Sequence, residues 1–386
     1  MDPELRRITE RVRAAPGQGT ALRIRGGSSK DFYGQSLQGE VLDVGPLRGI
    51  ISYEPSELVV TVRAGTTLQE LHCALAEKGQ YLAFEPPCFA SDATGVSAAT
   101  CGGMVATGLS GPARASAGAV RDFVLGMTLL NGRAELLIFG GQVIKNVAGY
   151  DVSRLMVGAM GTLGVLTEIS LKVLPRAPAE ATLTCSGLSQ QVALDLLHRW
   201  GGQPLPLNAS CWLKKTSADA PRGHLYVRLR GAAAAVEAAC PRMLSDLRTA
   251  GAEATRMDNA QAAPDWNACR DQTLRFFQAP APELGLWRLS VPQTAPDLGL
   301  PFDTLIEWHG GQRWLWAPVS ALGQLRHSAA SVGGTATLFR APTSTDVETN
   351  QRFSPLQSAL GRIHKQLKHE FDPAGIFNPG RMYAEF

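Results

Sequence analysis

The sequence lacks the patterns that mark several common classes of protein. None of its seven cysteines are spaced as C-x-x-C, which argues against a zinc site, an iron–sulfur cluster or a disulfide framework. No apolar stretch approaches the roughly 18 residues of a membrane span, and no Lys/Arg run points to a nucleic-acid partner. The N-terminus, MDPELRRITERVRAA, lacks the apolar core of a signal peptide. We therefore expect a cytoplasmic protein without a metal site, peripheral to the inner membrane at most through partners.

Glycine, in contrast, is abundant and unevenly placed. The chain of 386 residues has 40 glycines, and most of the glycine-dense stretches precede residue 165. Such clustering predicts an N-terminal half in which the backbone approaches a ligand closely. The length suits two or three domains, and 45% hydrophobic residues can fill large cores. A net charge of +3 is compatible with a small acidic substrate, among other partners.

The residue pattern of the first half predicts strands that alternate with helices. Such an order indicates α/β or α+β layering. The predicted elements are a helix at 4–14, strands at 21–25, 41–44 and 58–65, a helix capped by Thr67 and ended by Gly79, a hairpin around Asn131-Gly132 and a half-buried strand at 163–174. Between them, 85–118 is rich in small residues with little periodicity. We expect that segment to be ordered backbone that wraps a ligand, without elements of its own.

The second half predicts a different unit. PRAP at 175–178 is a plausible linker, and 181–341 predicts strands and amphipathic helices of an α+β domain with a mostly antiparallel sheet. A final helix is expected at 353–370, with Ser354 as its cap and Pro355 at its first position. The tail DPAGIFNPGRM follows.

The loop RIRGGSSK is the first candidate binding site. A strand leads into Gly26 and Gly27, which let backbone N–H groups converge on an anion, while Ser28 and Ser29 add hydroxyls and Lys30 adds charge. That combination favours a diphosphate. The loop matches neither the dinucleotide fingerprint nor the P-loop. Taken alone, it would also suit a plain turn between strands.

Two later glycine-rich loops extend the pattern. Thr100-Cys101-Gly102-Gly103 offers small side chains against which a flat ring or a ribityl chain can lie, and Ser110 follows. A tightly packed loop explains that stretch equally well. The third loop contains Gly158, Gly161 and Gly164, and the polar residues Lys145, Asn146, Tyr150, Asp151 and Arg154 precede it. A cation there could stabilise negative charge that develops on a bound ring, although surface or helix-cap roles fit each side chain.

The three loops, in this order and with the closing DPAGIFNPGRM, resemble flavoproteins of the vanillyl-alcohol-oxidase type, which have the PCMH-type FAD fold. LSGPAR, GAVRDFVLG and FGGQVIKNVAGYDVSRLMVGAMGTLGVLTEISLKVLPR are similar to the FAD-binding subunit of bacterial glycolate oxidase. The resemblance covers about residues 21–176 and 353–383. The region between matches only in predicted architecture.

The resemblance implies an α+β fold of three parts. These are a PCMH-type FAD-binding domain of two subdomains at 1–176, a smaller α+β cap domain with a mostly antiparallel sheet at 177–341, and a C-terminal helix and tail at 342–386 that return to the first domain. It also implies FAD as cofactor and oxidation of glycolate, a 2-hydroxy acid, to glyoxylate. The implied partners are a sister FAD subunit and an iron–sulfur subunit that receives the electrons.

The resemblance also implies residue roles. The FAD diphosphate would be held by Arg25, Gly26, Gly27, Ser28, Ser29 and Lys30. The flavin or its phosphate chain would be lined by Thr100, Gly102, Gly103 and Ser110. The adenine-ribose side or ring edge would be flanked by Gly158, Gly161, Gly164 and Val165, and the tail would return through Asn378, Pro379 and Gly380.

This sequence departs from the family pattern at several positions. Ser28 stands where a third glycine is usual, so it must tolerate the turn. Met160 stands where active relatives carry Glu, and Cys101 occupies a variable position. No histidine lies in the first loop or near Gly103, so we expect non-covalent FAD.

The sequence shows no complete set of catalytic residues. Oxidation of a 2-hydroxy acid needs a base and an arginine for the carboxylate, but among the seven histidines only His364 and His369 are close in sequence. We therefore expect a subunit that binds FAD without a complete site of its own. A self-sufficient dehydrogenase, with a base from the Lys145/Tyr150 region or His309, stays open. So does a non-catalytic flavin-binding assembly subunit.

Overall fold

The computed structural model describes residues 2–90, 97–141, 150–214, 223–344 and 352–385. The chain divides into two units, each discontinuous in sequence. The first contains Met1–Ser110, Gly118–Arg176 and Pro355–Phe386, and the second contains Gly111–Ala117 and Ala177–Ser354.

Small sheets and short helices build the first unit. Its helices are α1 (Pro3–Gln18), α2 (Leu68–Glu77), α3 (Cys101–Thr107), α5 (Val120–Phe123), α6 (Val152–Leu155) and α11 (Ser358–Phe371), and α4 (Arg114–Ala117) belongs to the second unit. Its strands are β1 (Leu22–Arg25), β2 (Glu40–Asp43), β3 (Ile50–Glu54), β4 (Val59–Arg63), β5 (Gln80–Tyr81), β6 (Val124–Leu130), β7 (Leu136–Gly140), β8 (Val165–Lys172) and β9 (Leu174–Pro175). A five-stranded antiparallel sheet has the order β3-β4-β8-β6-β7, and β1 pairs with β2 in parallel.

Local signals explain where α1 begins and ends. The Asp2 carboxylate accepts the Glu4 N–H at 2.8 Å, and Gly19 ends the helix in the left-handed region with φ of 62°. Ile8 and Val12, spaced for one helix face, are buried with strand residues of β1 and β2. This packing supports the strand that leads into the first glycine-rich loop.

Two predictions for the first unit need correction, and one strand of its five-stranded sheet was not predicted. The 85–118 segment contains α3, because Thr100 caps a helical turn that small residues can form without any apolar period. Strand β3 escaped prediction. Strand β8 is buried on both faces over most of its length rather than half-buried, since Leu166 and Ser170 are covered as well as Val165.

A single large sheet dominates the second unit. Its helices are α7 (Gln190–Gly201), α8 (Ala233–Thr249), α9 (Asn259–Arg270) and α10 (Leu322–Ala330). Its strands are β10 (Ala179–Leu188), β11 (Leu207–Lys214), β12 (Gly223–Gly231), β13 (Glu253–Met257), β14 (Leu284–Ser290), β15 (Thr304–Glu307), β16 (Gln312–Pro318) and β17 (Thr335–Arg340). The order β13-β10-β12-β11-β15-β16-β14-β17 is antiparallel at each pair, as predicted.

The boundaries of the second unit differ from the expected ones at two places. The described residues 342–344 and 352–354 stay with it, because the Ser354 hydroxyl donates to the Ala336 carbonyl of β17 and the Leu338 N–H donates to the Arg352 carbonyl. Ser354 is therefore not a helix cap, and α11 begins at Ser358. Gly111–Ala117 also joins this unit, since the Trp308 indole N–H donates to the Gly111 carbonyl at 2.9 Å.

Candidate functional site

A cleft in the first unit brings together most of the residues that the sequence singled out. Of the predicted set, the cleft is lined by Arg25, Gly26, Gly27, Ser28, Ser29, Lys30, Thr100, Gly102, Gly103, Gly161, Gly164 and Asn378. Apolar side chains from Ile24, Val44 and Leu166 complete part of the wall. The three glycine-rich loops thus meet at one place, although they are far apart in the sequence.

The first loop is built around close backbone contact. An ideal Cβ on Gly27 would lie 1.5 Å from the Ala98 carbonyl oxygen, so no other residue fits. Ser28, at the position where the resemblance implies glycine, adopts φ of 56° and thereby keeps the left-handed turn. The loop geometry expected of glycine is therefore retained at the cost of some backbone strain.

Buried donors follow the turn. Ser29 and Lys30 are both less than a tenth exposed, and the Lys30 ammonium lies 3.4 Å from the Ser29 hydroxyl oxygen and 5.7 Å from the centre of the Phe89 ring. A buried ammonium next to hydroxyls and small residues matches the donor set that a diphosphate needs. This corner of the cleft fits the phosphates of FAD.

The Arg25 side chain has a local carboxylate partner. Its Nη2 lies 3.0 Å from the Asp43 carboxylate, and both side chains are partly exposed. Asp43 also accepts the Gly45 N–H at 3.0 Å. Arg25 therefore links β1 to the end of β2, beside the cleft that it lines.

Thr100 and the start of α3 form the second wall. The Thr100 hydroxyl oxygen accepts the Gly103 N–H at 3.2 Å, and the Gly102 N–H donates to the Ala64 carbonyl at 2.7 Å. Cys101 points into the core, where burial raises the pKa of its thiol far above the ordinary range. That thiol is an unreactive packing group.

Three predicted residues do not line the cleft. The Val165 side chain is fully buried in the core beside β1 and β2. The Gly158 N–H donates to the Val105 carbonyl at 3.0 Å, and the Ser110 hydroxyl accepts the Val120 N–H at 3.3 Å. Their roles in this structure are packing and loop support.

The tail ties two of the loops together through Asn378. Its side-chain oxygen accepts the Ile24 N–H at 2.8 Å, its side-chain amide donates to the Met160 carbonyl at 2.7 Å, and its own N–H donates to the Leu22 carbonyl at 2.9 Å. Neither Pro379 nor Gly380 lines the cleft. Asn378 therefore joins the strand before the first loop to the third loop.

A buried ion pair at the end of α11 fixes the start of the tail. The Lys368 ammonium donates to the Asp372 carboxylate at 2.7 Å and to the Thr162 and Phe377 carbonyls at 2.8 Å each. The Asp372 carboxylate also accepts the Ile376 and Phe377 N–H groups. Burial lowers the pKa of Lys368. Sequence reasoning missed this pair, although Lys and Asp at i and i+4 was a visible signal.

Two of the candidate bases, Tyr150 and His309, do not line the cleft. Lys145 and Asn146 lie outside the described residues, and Tyr150 is 98% exposed. The Asp151 carboxylate caps α6 and lies 2.9 Å from the Arg154 guanidinium, which is a local helix-end role.

His309 lies in the second unit, between two serines. Its Nε2 is 3.0 Å from the Ser116 hydroxyl oxygen and its Nδ1 is 3.0 Å from that of Ser210. Burial lowers the pKa of His309 to about 4. Trp308 and His309 both have positive φ, 54° and 55°. The imidazole is neutral near pH 7, and both ring nitrogens have partners.

Within the described ranges, no group of three or more His, Cys, Asp or Glu side chains could hold a metal ion. Over the same ranges, no helix has the length and apolarity needed to cross a bilayer.

Comparison with known proteins agrees with the geometry. The family model described as an FAD binding domain matches residues 5–140. The chain is 43% identical to the glycolate oxidase subunit GlcE of Escherichia coli over 378 residues, which is 98% of this chain and 97% of that protein.

More distant similarities are partial or structural. The glycolate oxidase subunit GlcD of Bacillus subtilis is 32% identical over 134 residues, 35% of this chain and 27% of that protein. Two structures of alkyldihydroxyacetonephosphate synthase superpose with TM-scores of 0.66 and 0.69, at 14% identity, over 97% of this chain and 75% and 74% of theirs. The latter likeness concerns the fold.

These findings confirm the predicted α+β fold of the PCMH type, FAD as the cofactor and membership among FAD-dependent oxidoreductases. Near-complete coverage of both chains at 43% identity leaves no large segment of either protein unmatched. The chain belongs to the family of the glycolate oxidase subunit GlcE.

Proposed function

We propose that this chain is the FAD-carrying subunit of a multi-subunit glycolate oxidase located in the cytoplasm. In this proposal glycolate is oxidised to glyoxylate, and the electrons pass through a sister FAD subunit and an iron–sulfur subunit. The observation that carries the proposal is the 43% identity to GlcE along almost the whole of both chains. Partial similarity to GlcD is compatible with a sister subunit of related fold.

The residues of the cleft would divide the work of binding. Ser28 and Ser29 hydroxyls and the Lys30 ammonium would hold the FAD diphosphate, while Gly102 and Gly103 leave space for the rest of the molecule. FAD, when bound, accepts two electrons from an oxidisable C–H bond. The chain's own contribution is to bind the cofactor tightly and in one orientation.

The deprotonation step would depend on a group outside the cleft. Oxidation of glycolate removes a hydride from its carbon and a proton from its hydroxyl, so a base must lie next to the substrate. His309 has both ring nitrogens within hydrogen-bonding distance of serine hydroxyls, and Tyr150 lies in solvent. We therefore favour a partner subunit as the source of the base over a self-sufficient enzyme.

Anaerobic flavin reduction tests the proposal. The chain is purified alone and co-purified with partner subunits, and both samples are titrated with glycolate while the visible flavin absorbance is followed. We expect bound flavin in both samples, and bleaching only when the partners are present.

Each contrary outcome removes a specific part of the proposal. Bleaching of the isolated chain would support the self-sufficient dehydrogenase. Unchanged glycolate oxidation by a complex whose copy of this chain has lost FAD through Gly27→Ala would support a non-catalytic assembly role. Mass identification of the co-purified proteins checks the iron–sulfur partner.

A further inference from the structure

The Arg381 guanidinium is buried against backbone oxygens of the segment that follows the first loop. Arg381 is 6% exposed. Its Nη1 donates to the Gln35 carbonyl, and its Nη2 donates to the Tyr33 carbonyl and, at 3.0 Å, to the Asp31 carbonyl. The Lys30 carbonyl lies 3.5 Å from the same nitrogen. Four carbonyl oxygens of residues 30–35 thus converge on one cation.

The main chain of the tail adds to this contact. The Gln35 N–H donates to the Arg381 carbonyl at 2.9 Å. Gly34 has φ of 97°, and an ideal Cβ there would lie 3.0 Å from that carbonyl oxygen and 2.6 Å from the Met160 methyl. Glycine suits position 34 because the backbone there is left-handed and lies close to the tail.

The arrangement is electrostatically demanding. Residues 30–35 belong to no helix or strand, so their carbonyls have no ladder to join, and oxygens that converge repel one another without a donor between them. Guanidinium offers five N–H groups in a rigid planar fork, whereas ammonium offers one point of charge. Arginine suits several carbonyls at once for this reason.

We propose that Arg381 is a positioning residue for FAD: it holds residues 30–35 in the conformation that presents Ser29 and Lys30 to the diphosphate. The inference rests on FAD binding in this cleft and deepens the role of that site. Ser29 immediately precedes this segment and Lys30 is its first residue, so the placement of both side chains depends on its conformation. Loss of the fork would let the segment relax and misplace the phosphate donors.

A different role for Arg381 makes a different prediction. Arg381 also lines the cleft, so it could act on the diphosphate through its charge. In that case Arg381→Lys would keep most of the affinity, and Arg381→Met would weaken the dependence of FAD affinity on salt, because a charge–charge contact is screened.

The experiment measures equilibrium binding of FAD and of ADP to the full apo chain at low and high salt. The variants are Arg381→Lys and Arg381→Met, with Arg362→Met on the exposed surface of α11 as the matched control. We expect both Arg381 variants to lose about 10- to 100-fold in affinity for both ligands, as for several lost charge-assisted hydrogen bonds. Their salt dependence should equal that of the wild type, and Arg362→Met should bind normally.

Hydrogen exchange supplies a readout that does not depend on the ligand. In the apo chain, Arg381→Lys should raise amide exchange at Tyr33 and Gln35, whose N–H groups bond to Lys30 and Arg381 carbonyls. All seven tryptophans lie in the second unit, so their fluorescence checks that this unit remains folded. If Arg381→Met fails to fold, the Lys variant decides alone.

Two results would overturn the inference. One is an FAD affinity of Arg381→Lys within about twofold of the wild type, together with unchanged amide exchange at Tyr33 and Gln35. A twofold change is about 0.4 kcal/mol, which is too little for the loss of several guanidinium hydrogen bonds. The other is wild-type FAD affinity in Arg381→Lys together with a weaker salt dependence of FAD affinity in Arg381→Met. That result would make Arg381 a direct phosphate contact. Neither result depends on glycolate, so failure here and failure of the proposed function are separable.

Discussion

The stability of the second unit should fall in mild acid because His309 is buried and neutral. Burial lowers its pKa to about 4, whereas the unfolded chain takes up the proton near pH 6.5. Between these values the unfolded state binds more protons than the native state, so acid favours unfolding. The contribution is fully present above about pH 6.5 and is lost as the pH falls toward 4. Integrated from pH 7 to pH 5, the loss is about 2 kcal/mol.

The test compares wild type with His309→Asn at pH 7, 6 and 5. Asparagine tolerates the positive φ at this position better than most residues other than glycine, and it does not titrate. Urea unfolding followed by tryptophan fluorescence reports the second unit alone, because all seven tryptophans belong to it. We expect the stability difference between the two proteins to shrink by about 2 kcal/mol between pH 7 and pH 5.

A non-titrating control separates this effect from general weakening. Val227→Ala removes buried volume from the core of the same unit, and we expect it to lower stability by a similar amount at every pH. If His309→Asn retained the full pH slope of the wild type, the assignment of the acid sensitivity to His309 would be wrong.

Two further outcomes concern the first unit. Gly27→Ala should abolish FAD binding, because its new methyl would lie 1.5 Å from a backbone oxygen. The control Gly361→Ala on α11 has nothing within 4 Å of the new methyl, so it should bind FAD normally and be slightly more stable. Equal FAD retention by both variants in equilibrium dialysis would contradict this. Lys368→Met should cost about 3–5 kcal/mol, since it leaves the buried Asp372 carboxylate without its cation. The exposed Lys365→Met is the control in urea unfolding followed by circular dichroism, and a cost of Lys368→Met no larger than that of the control would refute the reasoning.

The features found from sequence were the local ones. The strand that leads directly into Gly26, Gly27 and the two serines can be recognised within eight consecutive residues. The helix after Thr67 begins and ends close to its predicted cap and stop residues. Asn378 came from the family resemblance. Its hydrogen bonds to Ile24 and Met160 span most of the chain and leave no local pattern.

The features that sequence missed have physical reasons. Helix α3 has no apolar periodicity, although its Thr100 cap and its left-handed Gly108 stop were visible. Arg381 binds backbone carbonyls, and carbonyls are present at every residue, so no side-chain pattern announces such a contact. Gly111–Ala117 joins the second unit through Trp308 and His309, nearly two hundred residues away.

The discontinuity of the first unit has a consequence for how the protein is made. Asn378 and Arg381 emerge from the ribosome about 200 residues after Arg176, and at about 5–20 residues per second that interval lasts roughly 10–40 seconds. Throughout this time β1 and the first loop exist without the groups that close them. Nascent chains therefore should not retain cofactor until the second unit has been synthesised, so cofactor acquisition marks a chain whose tail has docked.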